Sequence, residues 1–153
     1  MQESFTRLYD VIKTLIAPEG CPWDSVQTPE SMKRYLVEEA FETLEAIGEK
    51  DAEHAKEELG DVIMNAVEIA ALYEKQGKFS LDEVLDGAAE KLIRRHPHVF
   101  GDMRYASEEE IHEAWIKIKE QEKAGREWET DYLKGAMDEA SELIVRAKER
   151  KGF

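Results

Sequence analysis

Two acidic runs decide the fold of this chain: Val37-Glu-Glu-Ala-Phe-Glu42 and Glu57-Glu-Leu-Gly-Asp61. On a helix, residues three and four positions apart share a face, so the glutamates of the first run converge, as do Glu58 and Asp61. Like charges at this spacing destabilise an isolated helix by roughly 0.2–0.5 kcal/mol per pair. A cation between the two acidic faces would turn that penalty into a binding site. A site made only of carboxylates suits Mg2+, with Mn2+ as a substitute.

Helix-start signals precede both runs. Thr28 offers a capping hydroxyl, followed by a proline at the first helical position, and predicts a helix that ends near Gly48. Asp51 predicts the cap of the next helix, which continues to about Gln76. Because the connection is short, the two helices are predicted to be antiparallel neighbours whose acids face each other. The apolar side of the first helix is formed by Met32, Leu36, Ala40, Leu44 and Ile47.

The rest of the chain is also helical in pattern. Amphipathic segments are predicted at residues 5–16, with Ser4 as the cap, after Ser80, after Ser107 and at residues 132–148. Gly60, inside the second acidic helix, costs roughly 1 kcal/mol relative to alanine and predicts close approach of another backbone. No alternating strand pattern occurs. The prediction is an all-α helical bundle, which a second copy of the chain completes because several amphipathic helices share a small core.

Composition limits the partners. The chain has 153 residues, 42% of them hydrophobic, and 35 acidic against 21 basic residues give a net charge of −14. Such a charge disfavours binding to nucleic acid or to an anionic membrane. A single cysteine, Cys21, excludes an internal disulfide framework, and no signal peptide or membrane span is recognisable in the sequence. We expect a cytoplasmic protein.

Basic and aromatic residues form the second group of candidates. Lys91, Arg94 and Arg95 lie near the end of a predicted helix, where cations complement the helix dipole or bind the phosphates of a polyanion. Trp115 and Lys119, one turn apart, fit core packing with a snorkelling lysine or a nucleotide contact.

Trp23 is the one large apolar anchor of the loop between Pro18 and Gln27. It fits a lid residue packed on the core or a surface on which a base stacks.

The acidic residues also have an interpretation without a catalytic site. With 35 acidic residues, paired acids arise by chance, so a non-catalytic acidic helical module that binds a basic partner or a regulatory nucleotide is the alternative. A ferritin-like di-iron centre needs Glu-x-x-His pairs, and neither acidic helix has one at these positions. Redox iron is therefore disfavoured.

Five runs together closely resemble the MazG family of nucleoside triphosphate pyrophosphohydrolases, from the start of the chain to about Lys123. These runs are Gly20-Cys-Pro-Trp-Asp24, Val37-Glu-Glu-Ala-Phe-Glu42, Glu57-Glu-Leu-Gly-Asp61, Lys91-Leu-Ile-Arg-Arg-His-Pro-His-Val-Phe100 and Trp115-Ile-Lys-Ile-Lys119. The resemblance implies an all-α homo-oligomer, a dimer or a pair of dimers, that uses Mg2+ to split nucleoside triphosphates into monophosphate and pyrophosphate, a housecleaning activity. A narrower dUTP, dCTP or phosphoribosyl-ATP pyrophosphohydrolase of the same superfamily is the nearer alternative.

The same resemblance implies roles for individual residues. The metal ligands would be Glu39, Glu42, Glu58 and Asp61, and Glu38 would be a further ligand or the base that orients water. The substrate contacts would be Lys91 and Arg95 for phosphates, Trp115 and Lys119 for the nucleotide, with Arg94 and Trp23 beside them. We expect a MazG-type domain at residues 1–123 and a C-terminal helical extension at residues 124–153 whose role the resemblance leaves open.

Overall fold

The computed structural model describes residues 1–126 and 128–152, and these residues form α-helices, a short 3-10 helix (Asp24–Val26) and turns, without a β-strand. The helices are α1 (Gln2–Leu15), α2 (Pro29–Gly48), α3 (Ala52–Lys75), α4 (Leu81–Arg95), α5 (Pro97–Phe100), α6 (Glu108–Lys123) and α7 (Trp128–Lys151). The predicted all-α class is confirmed. No helix in the described ranges has the length and apolar character that crossing a membrane would require.

The chain forms two compact units. The first unit comprises Met1–Leu81 together with residues 138–152, and the second unit spans residues 82–137. The part of α7 from Asp138 onward thus belongs to the first unit. The predicted division near residue 123 between a MazG-type domain and an extension stays a prediction.

The two acidic helices begin where the sequence predicts. The Thr28 hydroxyl accepts a hydrogen bond from the backbone N–H of Ser31 at 3.1 Å, and the Ser31 hydroxyl accepts one from the N–H of Thr28 at 3.0 Å. This reciprocal pair is a capping box. The Asp51 carboxylate accepts from the N–H groups of Glu53 and His54, each at 3.1 Å. Only three residues separate α2 from α3, so the helices pack as antiparallel neighbours.

Helix α1 closes the core of the first unit against α3. The buried core side chains are Ile12, Ile16, Met32, Val67, Ala70, Ala71, Leu72 and Leu81. At the edge of this core, Glu74 accepts hydrogen bonds from the Tyr9 hydroxyl and from Lys13, the latter at 3.3 Å. The ammonium of Lys75 donates to the backbone carbonyls of Ile16 at 2.8 Å and Ser25 at 3.1 Å. The loop after α1 is therefore fixed to the end of α3.

The apolar side of α2 is only partly buried within the chain. Met32 is buried, but Leu44 is 62% exposed and Ile47 is 57% exposed. The buried residues of α2 are instead Met32, Thr43 and Ala46, which share a helical face with Glu39. The helix is rotated so that this acidic face, rather than its bulkiest apolar residues, packs towards the core. Large apolar side chains of α2 consequently remain on the surface of the first unit.

Two local predictions are wrong. Helix α1 begins at Gln2, because the strong helix formers Gln2 and Glu3 extend it upstream of Ser4, so Ser4 is not the cap. Among the described residues, a Cβ added to Gly60 would meet no atom within 4 Å outside its own helix, so none of them brings another backbone close. The close approach occurs at Gly20 instead, where a Cβ would lie 2.2 Å from the carbonyl oxygen of Thr14.

Candidate active site

Helices α2 and α3 bring three of the five predicted acids together. Oxygen atoms of Glu39, Glu58 and Asp61 all lie within 4.8 Å of one another. The antiparallel packing of the helices makes this possible, because Glu39 lies on the α2 face turned to α3 and Glu58 shares a face with Asp61 one turn later. We call these three residues the acidic triad. Carboxylate oxygens at such separations are able to share one cation.

Glu58 is the most buried member of the triad, with 6% exposure. Its Oε1 lies 3.0 Å from Nε2 of His54, one turn earlier on α3. Its Oε2 is buried and has no hydrogen-bond partner within the described residues. An unpaired buried carboxylate oxygen is costly, and a bound cation would satisfy it. The residues present therefore fit a divalent metal held by oxygen ligands.

The electrostatics of Glu39 agree with this fit. Burial raises the pKa of Glu39, and the negative charges of Asp61 and Glu58 raise it further, while the nearby Lys151 opposes them. Carboxylates that lie close together repel one another when all of them are ionised. A cation between them relieves this repulsion.

The other two predicted acids have cationic partners from the end of α7. Arg150 pairs with Glu38, and Lys151 pairs with Glu42. Glu42, predicted as a metal ligand, is thus not a member of the acidic triad in this structure. Its role and that of Glu38 stay predictions.

A small cavity adjoins the acidic triad. Its volume is about 190 Å3, and Glu39 forms part of its wall. Trp23 also lines it, half-exposed and edge-on to Tyr35 with ring centroids 5.7 Å apart. The indole ring therefore contacts Tyr35 and also faces the cavity. This position is compatible with both predicted roles of Trp23, a lid residue packed on the core and a surface on which a base stacks.

In the second unit, the predicted basic and aromatic residues form a separate cluster. Glu122 accepts hydrogen bonds from Nε of Arg94 at 2.7 Å and from Arg95 at 2.6 and 3.0 Å. These bonds hold the pKa of Glu122 below its ordinary value, and the bond from Arg95 has the largest effect. The guanidinium of Arg95 and the ammonium of Lys119 lie 5.5 and 4.9 Å from the ring centre of Trp115. The predicted pairing of Trp115 with a cation is thus present.

Lys91 is exposed on α4, one turn before Arg95. That spacing places both cations on the same side of the helix.

Sequence reasoning missed three features of the site. His54 had a local signal, because a histidine four residues before a buried acid on a helix lies over it. Glu68 had a weaker one, as a carboxylate between Val67 and Ile69 in an apolar run. The cations at the end of α7 had none, since their contact with α2 depends on the tertiary fold.

Comparison with known proteins finds similarity both in sequence and in structure. A family model for the MazG nucleotide pyrophosphohydrolase domain matches residues 27–100, a range that includes all five predicted acids and Lys91. The crystal structure of a mazG-related protein from Thermotoga maritima superposes with a TM-score of 0.65 at 29% identity, over 75% of this chain and 98% of that chain.

Curated relatives extend the similarity. The nucleoside triphosphate pyrophosphohydrolase/pyrophosphatase MazG of Thermotoga maritima is 47% identical over 119 residues, which are 78% of this chain and 45% of that protein. The nucleoside triphosphate pyrophosphohydrolase of Escherichia coli K12 is 37% identical over 119 residues, 77% of this chain and 45% of that protein. The uncharacterized protein YabN of Bacillus subtilis is 43% identical over 123 residues, 80% of this chain and 25% of that protein. The chain thus spans less than half the length of these relatives.

Proposed function

Because this chain belongs to the MazG family, we propose that it hydrolyses nucleoside triphosphates to nucleoside monophosphates and pyrophosphate with the help of Mg2+. The observation that carries the proposal is the acidic triad inside the segment that the family model matches, with a buried Glu58 oxygen that no described residue pairs. A cation held by these oxygens would neutralise charge on the phosphates of a nucleotide.

The proposed metal site uses the acidic triad, with Glu42 as a fourth ligand once it separates from Lys151. When bound, Mg2+ would supply a Lewis acid for the phosphate oxygens and acidify a bound water, and Mn2+ is the expected substitute. His54 keeps Glu58 oriented through the contact with Oε1 and leaves Oε2 for the metal.

The chain's own residues would do the remaining work. Glu38 orients the attacking water and accepts its proton. The water oxygen bonds to the α-phosphorus while the bond from that phosphorus to the oxygen bridging to the β-phosphate breaks, and pyrophosphate leaves. Lys91, Arg94 and Arg95 contribute positive charge for phosphate oxygens. Trp115 with Lys119, and separately Trp23, provide aromatic surface for the nucleotide.

Assembly forms part of the same proposal. Phe41, Leu44 and Ile47 on α2 and Leu59 and Ile63 on α3 are all large, apolar and 47–62% exposed. A contiguous apolar surface on two adjacent helices is typical of an interface between copies of a chain. We therefore propose a homodimer, with a pair of dimers as the larger form.

The cytoplasm is the proposed location, because Cys21 stays reduced there and nucleoside triphosphates are present.

The test is hydrolysis of the eight common ribo- and deoxyribonucleoside triphosphates, with and without Mg2+, with monophosphate and pyrophosphate as readouts. Glu58→Gln and Asp61→Asn should each reduce turnover by at least about 100-fold, because each removes a metal-binding oxygen. Glu57→Gln is the matched control, since Glu57 is an exposed neighbour on α3. If no nucleotide yields pyrophosphate, the enzyme proposal fails and the acidic binding module takes its place. A strong preference for dUTP or dCTP would identify the narrower activity.

A further inference from the structure

The cavity beside the acidic triad contains a charged side chain that the proposed chemistry does not use. Glu68 lines this 190 Å3 space, is only 8% exposed, and its Oε1 has no hydrogen-bond partner within the described residues. Burial raises the pKa of Glu68, and the charge of Asp24 raises it further. A buried carboxyl in this state is costly to maintain, so a ligand that satisfies it has a specific reason to bind here.

The position of Glu68 relates it to the triad. It lies seven residues after Asp61, which is two turns of α3 and about 10 Å along the helix axis on the same face. Glu39 belongs to both the triad and the cavity wall. A molecule whose phosphates reach the triad would therefore extend its other end into the cavity.

The polar wall of the cavity is rich in hydrogen-bond acceptors. Asp24, Glu39 and Glu68 contribute carboxyl oxygens. Asn65 directs its amide nitrogen at the backbone carbonyl of Asp61, 2.9 Å away, instead of into the cavity. The remaining lining residues are aromatic and apolar, with Trp23 among them. This arrangement suits a flat, unsaturated ring that presents N–H donors at its edge.

We propose that Glu68 is a specificity-determining residue, whose Oε1 accepts a hydrogen bond from the exocyclic amino group of the substrate's nucleobase. The inference rests on the proposed function, because it assigns the base end of the same nucleotide. Cytosine and adenine carry such an amino group, whereas uracil and hypoxanthine carry a keto oxygen at the same ring position. A keto oxygen would leave the buried carboxyl unpaired, and a site built around a hydrogen bond rejects the analogue that lacks it.

The experiment compares matched nucleotides on the full chain with Mg2+: CTP against UTP, and ATP against ITP. We expect kcat/KM to favour CTP and ATP by at least about tenfold, the effect of one buried hydrogen bond. In Glu68→Gln the amide also offers N–H donors, so UTP and ITP should gain and both ratios should fall at least about fivefold. The surface variant Glu57→Gln should keep both ratios.

The outcomes separate the two proposals. Hydrolysis of all four nucleotides with ratios near one overturns the role of Glu68 and leaves the proposed function intact, as expected if water alone occupies the cavity. Absence of any hydrolysis overturns both. Wild-type ratios near one overturn the role of Glu68 even if Glu68→Gln does not fold, and thermal unfolding of that variant shows whether its own ratios count.

Discussion

Nε2 of His54 lies 3.0 Å from Oε1 of Glu58, whose carboxyl group is buried among the helices of the first unit while the imidazole is partly exposed. The imidazole thus contacts one of the two Glu58 oxygens, and the other oxygen stays without a partner within the described residues. A partner that holds one oxygen of a metal-binding carboxylate fixes the direction of the second. We therefore propose that His54 is a positioning residue for the metal site.

Removal of this imidazole should weaken metal binding. His54→Ala is expected to reduce Mn2+ affinity, measured by titration calorimetry or electron paramagnetic resonance, by about 10–100-fold, as is usual for residues that orient metal ligands. His54→Gln retains an N–H donor and should recover part of the loss. Lys56→Ala, an exposed change on the same helix, is the control. Equal affinity of His54→Ala and wild type would show that the Glu58 carboxylate needs no support.

The cations at the end of α7 should compete with the metal. Arg150 and Lys151 neutralise Glu38 and Glu42, so the double change Arg150→Ala/Lys151→Ala frees Glu42 as the proposed fourth metal ligand and Glu38 as the proposed base. We expect a several-fold higher Mg2+ affinity and a slightly less stable metal-free protein, because each exposed pair contributes about 0.2–1 kcal/mol. Calorimetry and thermal unfolding measure the two effects. Lys148→Ala on the same helix should change neither, and a lower Mg2+ affinity in the double variant would contradict the competition.

Glu68 predicts a specific dependence of stability on pH. Its folded-state pKa is raised above the ordinary 4.5, so the folded protein disfavours the ionised form. Above the folded-state pKa, Glu68 is ionised in both states, and its charge costs less free energy in the unfolded state than in the folded state. Wild type therefore loses stability relative to a variant with a neutral side chain of the same shape. Glu68→Gln should therefore be more stable than wild type near neutral pH, and the difference should shrink as the pH falls towards about 4.5. Urea unfolding across this range checks it, and a difference that grows towards acid pH would have the wrong sign.

The helix starts and the acidic triad follow from local rules. Thr28 and Asp51 cap helices through groups within one turn, so the sequence alone predicts them. Glu58 and Asp61 share a face on any helix, and a short connection places that face opposite Glu39.

The missed features depend on tertiary packing. The burial of Glu68 depends on the packing of α1 and its following loop against α3, which periodicity does not describe. The pair of Arg150 and Glu38 joins residues 112 positions apart. Periodicity locates apolar residues of α2 such as Leu44 but does not say what covers them.

A substitution on the exposed apolar surface of α2 tests whether two copies of the chain associate there. In a monomer, a charge at Leu44, which is 62% exposed, would meet only water and change little. In a dimer that buries this surface, Leu44→Glu should weaken association by at least about tenfold, because it desolvates a charge in an apolar interface. Val145→Glu is the matched control, since Val145 is 55% exposed on α7 and its neighbours one turn away are polar: Ser141, Glu142, Lys148 and Glu149. Light scattering at micromolar concentration should show a wild-type and a Val145→Glu dimer but a dissociating Leu44→Glu chain. A monomeric wild type of full activity, or a Leu44→Glu dimer as tight as wild type, would contradict an interface on α2.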